Sequence, residues 1–208
     1  MRAVPRDIRT LLAACEAQLR SIGDAYQTAL AGDDLPETAF VAIKNLLENE
    51  RSVLDYLAMH IRVSCCSPPK PREKIYFPIF GKRKTFVVKA DKWLPGLQTS
   101  NRELWNYLDS VQPYPQRGEN SLRDLNWLVN RKKHVALVRQ ERREVPIGQR
   151  LPAAFGPEVF RKADFGADPA EDGWIAFRFV GMRRSALWVL GRIQTTVDQV
   201  VEDVLRLI

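Results

Sequence analysis

The chain has 208 residues, 45% of them hydrophobic and 27% charged, and a net charge of +7. That is enough apolar material for one substantial core, and it excludes an intrinsically disordered chain. No apolar run approaches the roughly 20 residues that cross a bilayer, and the first twenty residues carry scattered charge instead of a signal-peptide core, so a cytoplasmic protein without a membrane partner is expected.

In chain order, apolar residues from Asp7 to Ala31 recur every three or four positions and predict a first helix. "GDDLP" (32–36) interrupts it, and a longer helix is expected from about Pro36 to Val63, stopped by "SCCSPPKP". "KIYFPIF" (74–80), "GKRK" (81–84) and "TFVVK" (85–89) together read as a β-hairpin, with Pro78 placing the first arm at an edge. "LPGL" (94–97) is a turn, and "NRELWNYLDSV" (101–111) a short amphipathic helix. Ser121 with Asp124 three positions later reads as a capping box for a helix from about Leu122. The proline-bearing tract 143–173 reads as loop, "WIAFRFVG" (174–181) as a strand, and "RSALWVLGRIQTTVDQVVEDVLRL" as a closing amphipathic helix. The expected architecture is mainly α: a four-helix bundle with a small inserted β-hairpin and long irregular loops. It is read as one domain over 1–208, with insertions at about 64–120 and 140–182.

Metal and cofactor chemistry are not expected. Cys15 stands alone, Cys65 and Cys66 are adjacent, there is no CxxC, and the chain has only two histidines. The cations cluster in "KPREK", "GKRK", "RKK" (131–133), "RQERR" (139–143) and "MRR" (182–184), which suits an anionic partner such as RNA or another nucleic acid. Lys82, Arg83, Lys84, Lys132 and Lys133 are the candidate phosphate contacts, with Trp127 as a candidate stacking surface for a base.

Two helices carry polar residues where apolar ones belong. In the second, the seam Phe40, Ile43, Leu47, Leu54, Leu57 and Ile61 predicts an apolar residue at position 50, which is Glu50. A carboxylate there needs a cation or strong donors, as a structural group or as the edge of a functional cleft. Arg51 and Asp55, four residues apart, read as a surface ion pair worth a few tenths of a kcal/mol. In "NWLVNRKKHV" (126–135), Asn126, Asn130 and His134 form a polar stripe beside an apolar arc. His134 has the chemistry of a general acid or base, or of a phosphate ligand.

"ENERSVLDYLA", "IYFPI", "LPGL", "LDSVQPY" and "LNWLVNRKKH" together resemble a group of uncharacterised bacterial and phage helical proteins over about residues 40–140. More loosely, the chain resembles the HEPN superfamily of helical-bundle domains found in prokaryotic toxins, abortive-infection systems and CRISPR ribonucleases. That resemblance implies metal-independent RNA cleavage through attack by a 2′-hydroxyl, commonly with two copies meeting in a homodimer. Asn130 and His134 match the family's Asn and His, and Glu50 or Asn49 would supply a polar residue from the earlier helix. The family's arginine is not in its usual place: Val129 precedes Asn130, and Arg131 follows it. The expected catalytic set is therefore His134, Asn130, Arg131 and Glu50. The alternative is a non-catalytic protein that binds nucleic acid or another protein.

Overall fold

Residues 3–30, 35–114, 120–131, 140–146, 160–161, 173–182 and 184–208 are described by a computed structural model. The described chain is mainly helical, with α1 (Arg6–Leu30), α2 (Glu37–Cys65), α3 (Arg83–Trp93), α4 (Leu97–Ser100), α5 (Arg102–Ser110), α6 (Ser121–Arg131) and α7 (Ala186–Leu207). Three strands, β1 (Gln140–Pro146), β2 (Phe160–Arg161) and β3 (Gly173–Phe179), form one antiparallel sheet in the order β1-β3-β2. Two compact units are distinguishable. One comprises Met1–Cys15, Glu48–Trp127 and Ile193–Ile208; the other comprises Glu16–Leu47 and Leu128–Arg192.

The long helices follow the apolar period. On α1, Ile8, Cys15, Ile22, Tyr26 and Ala29 are buried, steps of seven, four and three that keep to one face. On α2, Ile43, Leu46, Leu47, Val53, Leu54, Leu57, Ala58 and Ile61 are buried, and Glu50 is buried among them. On α7, Ile193, Val197, Val200, Val201 and Val204 form the buried stripe, continued by Val189 and Leu190, while Leu187 is half-exposed.

In the second unit, β3 pairs with β1 from Gln140↔Phe179 to Pro146↔Gly173 and with β2 at Phe160↔Ile175. Phe177 and Phe179 are buried. The Phe177 ring meets Tyr26 edge-on with centroids 5.1 Å apart, and the Tyr26 hydroxyl donates to the Gln140 carboxamide. The tract expected to be loop thus contains two strands. Among the described residues β1 pairs with β3 alone and so lies at the sheet edge, a position where a charged sequence such as "QERREVP" is tolerated.

The expected β-hairpin at 74–89 is not formed. Its second arm is α3, in which Phe86 and Ala90, four residues apart, are the buried positions while Val87 and Val88 are exposed. A strand would have buried Phe86 and Val88 together. Packing outranks the β-branched composition, as it commonly does for short segments. The first arm is extended; Ile75 and Phe77 are buried on either side of the exposed Tyr76, but Pro78 and Ile79 are buried as well, so the alternation ends at Phe77.

Helix caps also differ from the pattern in the sequence. Asn120, not Ser121, caps α6: its Oδ1 accepts from the Arg123 N–H at 2.8 Å. Asn101 caps α5 by accepting from Leu104 N–H at 3.0 Å, and its Nδ2 donates to the Leu207 carbonyl at 2.7 Å. Gly96, at φ +77°, begins α4 in the left-handed region, and a Cβ there would meet nothing within 4 Å. Gly96→Ala is therefore a pure backbone test. It is expected to lower stability by about 1 kcal/mol, read from the urea midpoint.

Candidate functional site

In the first unit, no strand among the described residues pairs with the extended segment 75–80, so its polar backbone groups need other partners. Side chains supply them. Asp55 Oδ1 on α2 accepts from the Phe77 N–H at 2.9 Å, and Arg51 Nη2 donates to the Phe77 carbonyl at 2.9 Å. The two are themselves joined at 2.9 Å. On the alternate residues, Gln112 Oε1 accepts from Phe80 N–H at 3.0 Å, while its Nε2 donates to the carbonyls of Pro78 and Leu108, each at 2.8 Å. Gln112 is fully buried. Arg51–Asp55 is thus a clamp on the neighbouring backbone and not the plain surface pair its spacing suggested.

α3 is held against α5 and the turn after it. Phe86 is buried, with its ring 5.2 Å from Trp105 and 6.3 Å from Tyr114, and Arg83 Nε is 3.0 Å from Asp109 Oδ2. These contacts bring Trp93, the last residue of α3, onto the clamped segment. Its ring stacks on Phe80 at 5.6 Å and 25°, and meets Tyr76 edge-on at 5.5 Å. Phe80 and Trp93 are half-buried and Tyr76 is 40% exposed, which leaves an aromatic surface open to a ligand.

Lysines border it. Lys74 leads into the segment, Lys82 precedes α3, and Lys84, Lys89 and Lys92 lie on it, all exposed. None of the five has an ion-pair partner among the described residues. At about 100° per residue, Lys92, Lys89 and Trp93 share about 100° of the α3 surface, whereas Asp91 falls about 160° and Lys84 about 180° from Trp93, so of the expected phosphate contacts Lys84 lies on the opposite face. Arg83, expected as a phosphate contact beside Lys82 and Lys84, is instead tied to Asp109.

The expected catalytic set is placed as follows. Glu50 is 1% exposed, and neither carboxylate oxygen has a partner in full hydrogen-bond geometry. Beside it lie the buried Cys15 thiol of α1 and the Asp198 carboxyl of α7. Burial first, and then Asp198, push the Glu50 carboxyl up to about 8, with a smaller opposing effect from Cys15. Burial likewise pushes the Cys15 thiol above its ordinary value, with Glu50 adding to the rise. Glu50 is therefore a neutral acid at pH 7 in an apolar interior, where it offers no charge to a ligand. It belongs to the first unit, whereas Asn130, exposed on α6, and Arg131 belong to the second. His134, Lys132 and Lys133 lie outside the described residues. Trp127 is half-buried.

The residues that build the surface went largely unmarked in the sequence. Trp93 stands at the end of a helix that read as a strand, and Gln112 is one amide in "SVQPY" with no periodic pattern to flag it. The one available signal was Arg51 with Asp55, whose spacing was visible but whose third partner, the Phe77 backbone, was not. Compared with known proteins, the chain matches no family model, no curated protein and no solved structure.

Proposed function

We propose that the protein binds single-stranded nucleic acid on the Tyr76–Trp93–Phe80 surface, RNA being the class that the HEPN resemblance implies. One observation carries this reading: half-exposed stacked rings flanked by the exposed Lys74, Lys89 and Lys92, which have no ion-pair partner among the described residues. Unpaired bases stack on such rings without regard to sequence, and the lysines offset the backbone phosphates. A duplex hides its base faces and gains only the charge term. Cleavage is not part of the proposal, because Glu50 is turned into an apolar interior beside another acid.

The test is fluorescence anisotropy with a labelled oligoribonucleotide, single-stranded and paired, over a range of salt. The single strand is expected to bind more tightly, and log K is expected to fall with log salt by about 0.7 for each phosphate engaged. Trp93→Ala is expected to weaken binding about tenfold or more, with Trp93→Phe retaining most of it. Salt-independent binding, or equal affinity in native protein and Trp93→Ala, overturns the proposal.

A further inference from the structure

Within the first unit, the start of α5 and the last turn of α7 enclose a cavity of about 330 Å³, lined by Glu103, Tyr107, Asp203, Arg206 and Leu207. Hydrogen bonds fix its frame. Asn101 Nδ2, at the α5 cap, donates to the Leu207 carbonyl at 2.7 Å and ties the two helix ends together. The Tyr107 hydroxyl donates to Asp203 Oδ2 at 3.1 Å, while Gln199 Nε2 and Arg206 Nη2 donate to Oδ1 at 3.0 and 2.5 Å. Asp203 is thus occupied by groups of the protein itself. Glu103 and Arg206 differ from it. Both are exposed and carry opposite charges on the walls of one cavity, yet no ion pair joins them. Among the described residues Glu103 has no hydrogen-bond or ion-pair partner, and Arg206 commits only Nη2, to Asp203.

We propose that this cavity is a binding site for a free α-amino acid with an apolar side chain. The ligand's ammonium donates to the Glu103 carboxylate, and its carboxylate accepts from the Arg206 nitrogens that Asp203 leaves free. A ligand with a single charge satisfies only one wall, whereas a zwitterion satisfies both. Its side chain lies against the Tyr107 ring and Leu207, both half-buried. Ligand sites span roughly 300–1,000 Å³, so a cavity at the small end suits a single amino acid. Because Asp203 and Asn101 hold the frame, little ordering is left for the ligand to impose. Glu103 in the first turn of α5 and Arg206 in the last turn of α7 also suit the helix dipoles. That role alone predicts no bound ligand. The site shares no residue with the aromatic surface, and it stands or falls apart from nucleic-acid binding.

The test is calorimetric titration of the full chain with L-leucine, with isoamylamine, which lacks the carboxylate, and with 4-methylpentanoate, which lacks the amine. Leucine is expected to bind one to one, and each analogue about tenfold or more weakly, since each loses a charge-assisted hydrogen bond. Two variants assign the walls. Glu103→Gln is expected to bind leucine about tenfold more weakly and no better than 4-methylpentanoate. Arg206→Gln is expected to bind leucine no better than isoamylamine. Glu103 has no partner among the described residues, so Glu103→Gln is expected to unfold at the native urea midpoint, which keeps the test free of a folding defect. Absence of leucine binding, analogues that bind as tightly as leucine, or native affinity in Glu103→Gln each overturns the proposal.

Discussion

Gln112→Ala is expected to lower stability by about 4 kcal/mol, measured by urea unfolding. The side chain is fully buried and makes three hydrogen bonds at once, accepting from Phe80 and donating to Pro78 and Leu108. Truncation leaves the Phe80 N–H and the Pro78 carbonyl without those partners, each at about 1–3 kcal/mol, and opens a cavity as well. Gln112→Glu separates the contributions. A carboxylate keeps the bond from Phe80 but donates nothing to the two carbonyls, while a protonated carboxyl restores one donor. Stability of Gln112→Glu should therefore improve as pH falls through its carboxyl range, and that of Gln112→Ala should not. Equal pH profiles for the two variants would show that the bridge itself is not what Gln112 contributes. Because Phe80 underlies Trp93, either variant should also weaken binding of a single strand.

The helical frame was legible because it rests on periodicity. The helices expected at 7–31, 36–63 and 101–111 are α1 (Arg6–Leu30), α2 (Glu37–Cys65) and α5 (Arg102–Ser110). Position 50 was recognisable as an interior seam position for the same reason, and Glu50 is 1% exposed. What periodicity does not encode is the identity of a neighbour from another helix. A buried carboxylate invites the expectation of a cation, but Cys15 and Asp198 are the groups that act on it. Burial and a second acid keep it protonated, which makes a cation unnecessary.

The binding surface was less legible, since it depends on side chains replacing a strand. A segment with the alternation of "KIYFPIF" normally satisfies its backbone by pairing, and an adjacent β-branched run is the natural candidate. Here "TFVVK" follows the burial of Phe86 and Ala90 into a helix, and Asp55, Arg51 and Gln112 take the hydrogen bonds. These residues are 22 to 34 positions away from their backbone partners. No local spacing rule reaches that far, so the surface appears only when the chain is folded.

Arg51 and Asp55 form the second large-effect prediction. Exposed i,i+4 pairs of this type contribute a few tenths of a kcal/mol, and on that basis Asp55→Ala should be almost silent. The clamp geometry predicts otherwise. Asp55 accepts from both the Phe77 N–H and Arg51, and Arg51 bonds Asp55 and the Phe77 carbonyl with one terminal nitrogen. Phe77 itself is 0% exposed, so its amide cannot turn to water without withdrawing the ring from the core. Each single substitution to alanine is expected to cost about 2–3 kcal/mol, and the double substitution less than the sum by about 1 kcal/mol. Asp55→Asn should recover part of the loss, because its carboxamide oxygen still accepts from Phe77. Urea unfolding of the four proteins closes the cycle. Strictly additive losses of a few tenths would return the pair to the solvated helix surface. A loss of the expected size, with single-strand binding weakened in parallel, ties the aromatic surface to α2 through one residue's backbone.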